Sequence, residues 1–268
     1  MRTIAHVSDL HFGTHSDAVV EALLACLAKT KPDLIAVSGD LTQRARRAEF
    51  TQAQAFLKRL PSPFIVIPGN HDIPLYDALS RILDPFAKYE SFIGPDGLAE
   101  AFYGDDEIAV LGLNTVRRLT GKNGRVSYRQ MAEIVRKFGS IDRSLFRVLV
   151  THHPLGLPTG SNSVDLAGRS SLALAAVAEA GVHLLLSGHY HVATAGGIDA
   201  ERAAGGSILV VHAGTALSSR TRGEANSFNI IRVSLPDLDV RVFHYSGDQF
   251  CEGAHSNYRF ADGRWRKA

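Results

Sequence analysis

Short runs of β-branched and aliphatic residues recur along this chain, and each stops at a block rich in Asp, Asn, Gly or His. Residues 3–7 lead to Asp9-Leu10-His11, residues 34–38 to Gly39-Asp40, and residues 64–67 to Gly69-Asn70-His71-Asp72; residues 146–150 lead to His152-His153, and residues 184–187 to Gly188-His189-Tyr190-His191. Runs this short and apolar read as strands buried on both faces, and residues 108–113 add another. Between the strands, Val19, Leu23, Leu24 and Leu27 keep one helical face apolar, as do Phe50, Ala53, Phe56, Leu57 and Leu60 in the next segment. Ser127 followed by Gln130 has capping-box spacing and opens a helix through about Phe138, and Gly181 suits the end of a helix over residues 170–180. Alternating strand and helix predict an α/β fold.

After His191 the pattern changes. Residues 207–212, 227–234 and 239–245 read as strands with little helix between them, which predicts a second, more antiparallel sheet, and residues 257–268 form an edge hairpin or a tail. No repeat, low-complexity tract or linker divides the 268 residues, so the expectation is one domain, with a ligand-bearing core over about 1–192 and a strand-rich part over about 193–268. Hydrophobic residues make up 45% and charged ones 21%, enough to bury a sizeable core and too apolar for disorder. Lys and Arg number 29 against 27 Asp and Glu, so no global positive field marks a stable nucleic-acid partner. Two cysteines, Cys26 and Cys251, make no disulfide framework. Met1 leads almost directly into a strand, without room for a signal peptide, and no apolar run is long enough to span a bilayer; a cytoplasmic location is the expectation.

In open α/β sheets the loops leaving the strand carboxyl ends line one crevice, so these blocks can converge. Asp9 and His11 lie two residues apart and at a frayed strand end point to the same side; Asp40 offers two oxygens, Asn70 a neutral carbonyl oxygen, and His152, His189 and His191 imidazoles. Nitrogen and hard oxygen without thiolate suit manganese, iron or zinc rather than copper(I) or an iron–sulfur cluster. Each block alone has a plainer explanation. Asp-x-His is common by chance, residues 69–72 after Pro68 make a turn, and His189 and His191 suit an alternating strand end. Their joint order at successive strand ends points to metal chemistry.

On these blocks the chain resembles the calcineurin-like metallophosphoesterase superfamily, whose pattern is Asp-x-His, Gly-Asp, Gly-Asn-His-Asp/Glu, His and Gly-His-x-His, over about Asp9 to His191. The resemblance implies a four-layer α/β sandwich of two mixed β-sheets flanked by helices. It also implies two divalent or mixed-valence ions (Mn, Fe or Zn), one held by Asp9, His11, Asp40 and His191, the other by Asp40, Asn70, His152 and His189, with Asp40 bridging. The Ser8-Asp9-Leu10-His11 opening and Thr151-His152-His153-Pro154 are similar to the bacterial cyclic-nucleotide and glycerophosphodiester phosphodiesterases of that superfamily. The implied activity is hydrolysis of a phosphodiester by in-line attack of a metal-bridging hydroxide, with His71 on the leaving-group side. Asp72 either orients that imidazole or closes a local turn. Neighbouring strand residues point to opposite faces, so one of His152 and His153 reaches the metals, and His152 matches the family position.

The alternatives are a phosphomonoesterase, a nucleotide-lipid pyrophosphohydrolase and, against the intact ligand set, a non-catalytic metal-binding interaction module. The lipid reading wants an apolar insertion; Leu75, Leu79, Ile82, Leu83 and Phe86 form an amphipathic segment that core packing explains better. Three stretches are candidates for the rim: the basic 117–125, the polar 154–168 as a lid or a connector, and 214–224, where Arg220 or Arg222 contacts phosphate or Arg222 pairs with Glu224. The expected partner is a small phosphoester substrate, and the strand-rich C-terminal part offers a surface for a homo-oligomer.

Overall fold

The computed structural model describes residues 1–94, 101–120, 122–158, 166–198, 207–219 and 223–268. One sheet starts with the parallel strands β1 (Arg2–Val7), β2 (Leu34–Val37) and β3 (Phe64–Val66). The chain then builds a second sheet from β4 (Ala101–Gly104), β5 (Ile108–Leu113), β6 (Phe146–Thr151), β7 (Leu184–His191), β8 (Thr194–Ile198) and β9 (Ile208–Gly214), in the order β4-β5-β6-β7-β9-β8. Its four central strands are parallel, and both edge strands are antiparallel to their neighbours. The chain returns to the first sheet through β10 (Ser227–Ser234), β11 (Asp237–Ser246), β12 (Gln249–Ala261) and β13 (Arg264–Lys267), completing the order β13-β12-β11-β10-β1-β2-β3. Both sheets are therefore mixed. The C-terminal strands do not make a sheet of their own as expected: residues 208–212 of the 207–212 run fall in β9 of the second sheet, parallel to β7, whereas 227–234 and 239–245 fall in β10 and β11, antiparallel additions to the first sheet, and residues 257–268 form the hairpin alternative.

Strand periodicity partitions the core. Ile4, Leu34, Ala36, Val110, Val148, Leu186 and Val211 meet between the two sheets. Ala5, Val7, Ile35 and Val37 turn instead toward the helices Asp17–Thr30 and Arg47–Leu57, where Leu23, Leu27, Phe50 and Ala53 cover them. Ala109, Leu111, Leu149 and Leu185 face the helices Tyr128–Gly139 and Ser170–Glu179 through Ile134, Phe138, Ala173 and Val177. Helix, sheet, sheet and helix thus stack as four layers with three apolar interfaces. Parallel strands buried on both faces explain why their sequences are continuous apolar runs. Among the described residues no helix is long and apolar enough to cross a membrane.

The helix Tyr128–Gly139 begins as its spacing predicts: Ser127 Oγ accepts from Gln130 N at 3.2 Å, and Gln130 Oε1 accepts from Ser127 N at 3.0 Å. One expectation fails. The helix Ala78–Leu83 buries no residue, and Leu75, Tyr76, Leu79, Ile82 and Leu83 are exposed, Tyr76 by 76% and Leu83 by 72%. Only the following helix, Ala87–Ile93, packs inward, through the fully buried Tyr89 and the partly buried Phe92 and Ile93. The apolar spacing of 75–86 thus does not report core packing.

Leu186 is fully buried between the sheets. Leu186→Ala should destabilise the protein by about 2–5 kcal/mol, read as a lower urea midpoint at unchanged slope.

Candidate metal centre

All five polar blocks leave the carboxyl ends of β1, β2, β3, β6 and β7, three on one sheet and two on the other. Their side chains converge. His11 Nε2 lies 3.2 Å from His191 Nε2 and 3.7 Å from Asp9 Oδ1, and His191 Nε2 lies 3.2 Å from the same oxygen. His152 Nε2 lies 3.2 Å from Asn70 Oδ1 and 3.3 Å from His189 Nδ1. Asp40 Oδ2 stands between the groups, 3.7 Å from His11 Nε2 and 3.4 Å from His152 Nε2.

Two donors bound to one ion at about 2.0–2.1 Å, roughly 90–109° apart, are themselves about 2.8–3.4 Å apart, close to the separations found here. The carboxylates are divided in the same sense. Asp9 Oδ2 accepts from Ser8 Oγ at 2.6 Å and from His189 N at 3.0 Å, whereas the buried Asp9 Oδ1 faces the His11 and His191 imidazoles. Asp40 Oδ1 accepts from His71 N at 2.8 Å, leaving Oδ2 for the cluster. His152 Nδ1 lies 2.8 Å from Ser38 O, which fixes that nitrogen as the donor and turns Nε2 inward. A His/Asp cluster of this kind fits two cations.

Backbone conformation aims these groups. Asp9, His11, Asp40, His189 and His191 all have positive φ, between 47° and 77°. Non-glycine residues seldom adopt this left-handed conformation, and each costs on the order of 1–3 kcal/mol. Asp9 and His11 therefore share one side because both are left-handed beyond the end of β1, and the strand alternation expected from their spacing is not what joins them.

Electrostatics favours anionic carboxylates. Burial works against the charge on Asp40, but His152, His71 and His11 outweigh it and hold its pKa well below the usual carboxylate range. Asp9 is likewise lowered against its burial, chiefly by His191. His152 is pushed up to about 9: burial disfavours its proton, and Asp40 and Asp9 overcome that. His189, more by burial than by the neighbouring His152, falls to about 4. A proton on His152 thus competes with a cation for the same oxygen-lined space.

Asp72 does not orient His71. Its carboxylate accepts from Gly69 N at 2.8 Å, Leu41 N at 3.1 Å, Thr42 N at 2.8 Å and Thr42 Oγ1 at 3.0 Å, tying two loops together. Burial and nearby Asp40 raise its pKa to about 6 despite those donors. The His71 imidazole is positioned instead by Gln43, whose carbonyl oxygen lies 2.7 Å from Nδ1; this makes Nδ1 the donor and leaves Nε2 as the other ring nitrogen. His153 lies near His152 and His189, yet Thr115 Oγ1 at 2.8 Å and Lys122 O at 2.9 Å engage both of its nitrogens. Gln43 was not singled out from the sequence, and Ser8 and Thr215, whose Oγ1 donates to Asp9 O at 2.7 Å, fell within stretches that were, but without these positioning roles. Gln43 and Ser8 lie within three residues of a block, the one available signal. Arg220 and Arg222 lie outside the described residues, as does part of 154–168.

A family model described as calcineurin-like phosphoesterase matches residues 2–193. The chain is 27% identical over 164 residues to a probable glycerophosphodiester phosphodiesterase of Arcobacter nitrofigilis, a match covering 56% of each protein, so it spans little more than half of that relative's length. It is 26% identical over 207 residues to a probable cyclic nucleotide phosphodiesterase of a Synechococcus strain, covering 71% of this chain and 74% of the relative. A crystal structure of a dimetal phosphatase from Danio rerio superposes with a TM-score of 0.66 at 11% identity, covering 94% of this chain and 98% of the other, a likeness of fold.

A Cβ at Gly188 would stand 1.8 Å from Ser8 Oγ and 2.5 Å from Asp9 Oδ2, so the strand-end loop fits against Asp9 only with glycine there. Gly188→Ala should weaken metal binding by about 10–100-fold, measured by competition with a chromogenic chelator, while far-ultraviolet circular dichroism stays unchanged.

Proposed function

The chain belongs to the calcineurin-like phosphoesterase family, and on that premise we propose that it is a binuclear-metal phosphodiesterase, hydrolysing a diester to a monoester and an alcohol. The observation that carries this reading is the position of Asp40 Oδ2, within 3.7 Å of His11 Nε2 on one side and 3.4 Å of His152 Nε2 on the other. One oxygen facing two imidazole groups suits a bridging ligand. Asp9, His11, Asp40 and His191 would hold one ion; Asp40, Asn70, His152 and His189 would hold the second, with manganese, iron or zinc compatible with the donors. Bound there, such a pair offsets charge on the non-bridging phosphoryl oxygens and acidifies a water for attack at phosphorus.

The chain's own contribution on the leaving-group side is His71. Its backbone N–H is bonded to Asp40, and its ring packs edge-on to His11 with centroids 4.9 Å apart, so it stands beside the metal centre. With Nδ1 donating to Gln43 O, a proton carried on Nε2 can pass to the departing alkoxide as the P–O bond breaks, and the alcohol leaves neutral. Asp72 serves this step indirectly, by holding residues 41–42 and 69 in register. Glycerophosphodiesters and cyclic nucleotides are the first substrates to consider, because two bacterial relatives carry those names.

Purified protein reconstituted with manganese should hydrolyse bis(p-nitrophenyl) phosphate faster than p-nitrophenyl phosphate, and chelator should abolish both. A preference for the monoester would replace this reading with a phosphatase. Asp40→Asn should deplete both ions by metal analysis, whereas His71→Ala should keep metal content and lose about 10²–10⁴-fold in kcat. Equal metal loss in the two variants would refute the division of roles.

A further inference from the structure

Beside the metal centre, and on its own footing, lies a concentration of positive charge that the hydrolytic reading does not use. Residues 124–126 and Gly168 are zipped together: Gly168 N donates to Gly124 O at 2.8 Å, and Val126 N to Gly168 O at 3.2 Å. The zipper sets Arg125 against Gly168, where the Arg125 side chain crosses a glycine whose Cβ would sit 3.2 Å from it. Arg169 follows directly, stacked over the Tyr128 ring at 4.4 Å. Arg117 belongs to the adjoining segment of this loop, where Arg125 N donates to Thr115 O at 2.8 Å, and its guanidinium donates to Val116 O at 2.7 Å, to Asn114 O at 3.1 Å and to Gln130 Oε1. Burial first, and then the charges of Arg125 and Arg169, push the Arg117 pKa below its ordinary value.

All the acceptors found for Arg117 and Arg169 are neutral, and among the described residues no carboxylate pairs with any of the three arginines. Two of them are also placed against the local field. Arg117 leans on Gln130 in the first turn of the helix Tyr128–Gly139, and Arg169 is the N-cap of the helix Ser170–Glu179. Helix N-termini carry partial positive charge and favour anions, yet neither first turn contains an acid. Arg169 is moreover left-handed, with φ of 64°. An anion seated there would offset both the like charges and the positive helix ends.

We propose that Arg117, Arg125 and Arg169 form a binding site for a phosphate-class oxyanion, distinct from the metal centre. Guanidinium forks match phosphate oxygens bidentately, and the exposed Arg125 leaves the site open to solvent. The oxyanion is either free phosphate or a second phosphoryl group on a substrate or product.

The test uses full-length, chelator-treated protein, so that no metal contributes, with inorganic phosphate as the probe and chloride of equal ionic strength as the control. At about ten times a millimolar Kd, phosphate should raise Tm by about 3–6 °C over chloride. Arg125→Gln and Arg169→Gln should each abolish that rise while still unfolding cooperatively. No rise in the parent, or an equal rise in both variants, would overturn the site, and neither outcome bears on diester hydrolysis. With metal-loaded protein, a higher KM in the variants for a diester bearing a terminal phosphate, relative to bis(p-nitrophenyl) phosphate, identifies the substrate as the source. An unchanged ratio beside lost phosphate binding identifies the free anion.

Discussion

Each of the two metal-facing carboxylates is split between a structural and a chemical oxygen, and the architecture around the centre depends on that division. Asp9 gives Oδ2 to Ser8 and His189 N, and Asp40 gives Oδ1 to His71 N, so each is anchored by protein donors while its second oxygen faces imidazole nitrogen. An anchored carboxylate keeps its direction without a cation and loses little freedom when one binds. Asp72 is the counterexample. Surrounded by three backbone N–H groups and a hydroxyl, it has no oxygen left for chemistry and acts as the knot between the loops after β2 and β3.

Left-handed backbone at five positions adds a cost that the rest of the fold must overcome. The means are visible in the three apolar interfaces, which hold the strands rigidly up to the last residue before each loop. Strain concentrated at strand ends, over a close-packed sandwich, lets short loops present side chains in directions that a regular pleat does not allow. The same economy leaves little spare room: Gly39, Gly69 and Gly188 each lie where a Cβ would meet a site residue or its backbone.

Much of this was legible from the sequence, for identifiable reasons. Parallel strands buried on both faces write themselves as apolar runs, so β1, β2, β5, β6 and β7 stand out, and with β1, β2, β6 and β7 the blocks that follow them. Strands without that burial do not. β4 is a short edge strand, β8 reads Thr-Ala-Gly-Gly-Ile with little side chain to pattern, and the first half of β12 is mostly exposed on both faces. Exposed Leu79, Ile82 and Leu83 gave a helical apolar period without a core behind it. Gln43 and the left-handed ligands depend on loop conformation, which spacing alone does not encode.

The converging residues come from both sheets: Asp9, His11, Asp40 and Asn70 follow strands of the first, His152, His189 and His191 belong to the second. The centre therefore straddles the joint between two halves that otherwise meet through apolar side chains, and cations held there would rivet one half to the other. Because the contributing residues run from Asp9 to His191 and come from both sheets, the centre is complete only once the two halves have docked. A cation that requires the full set of donors would therefore be held only by chains whose two sheets have already closed on each other.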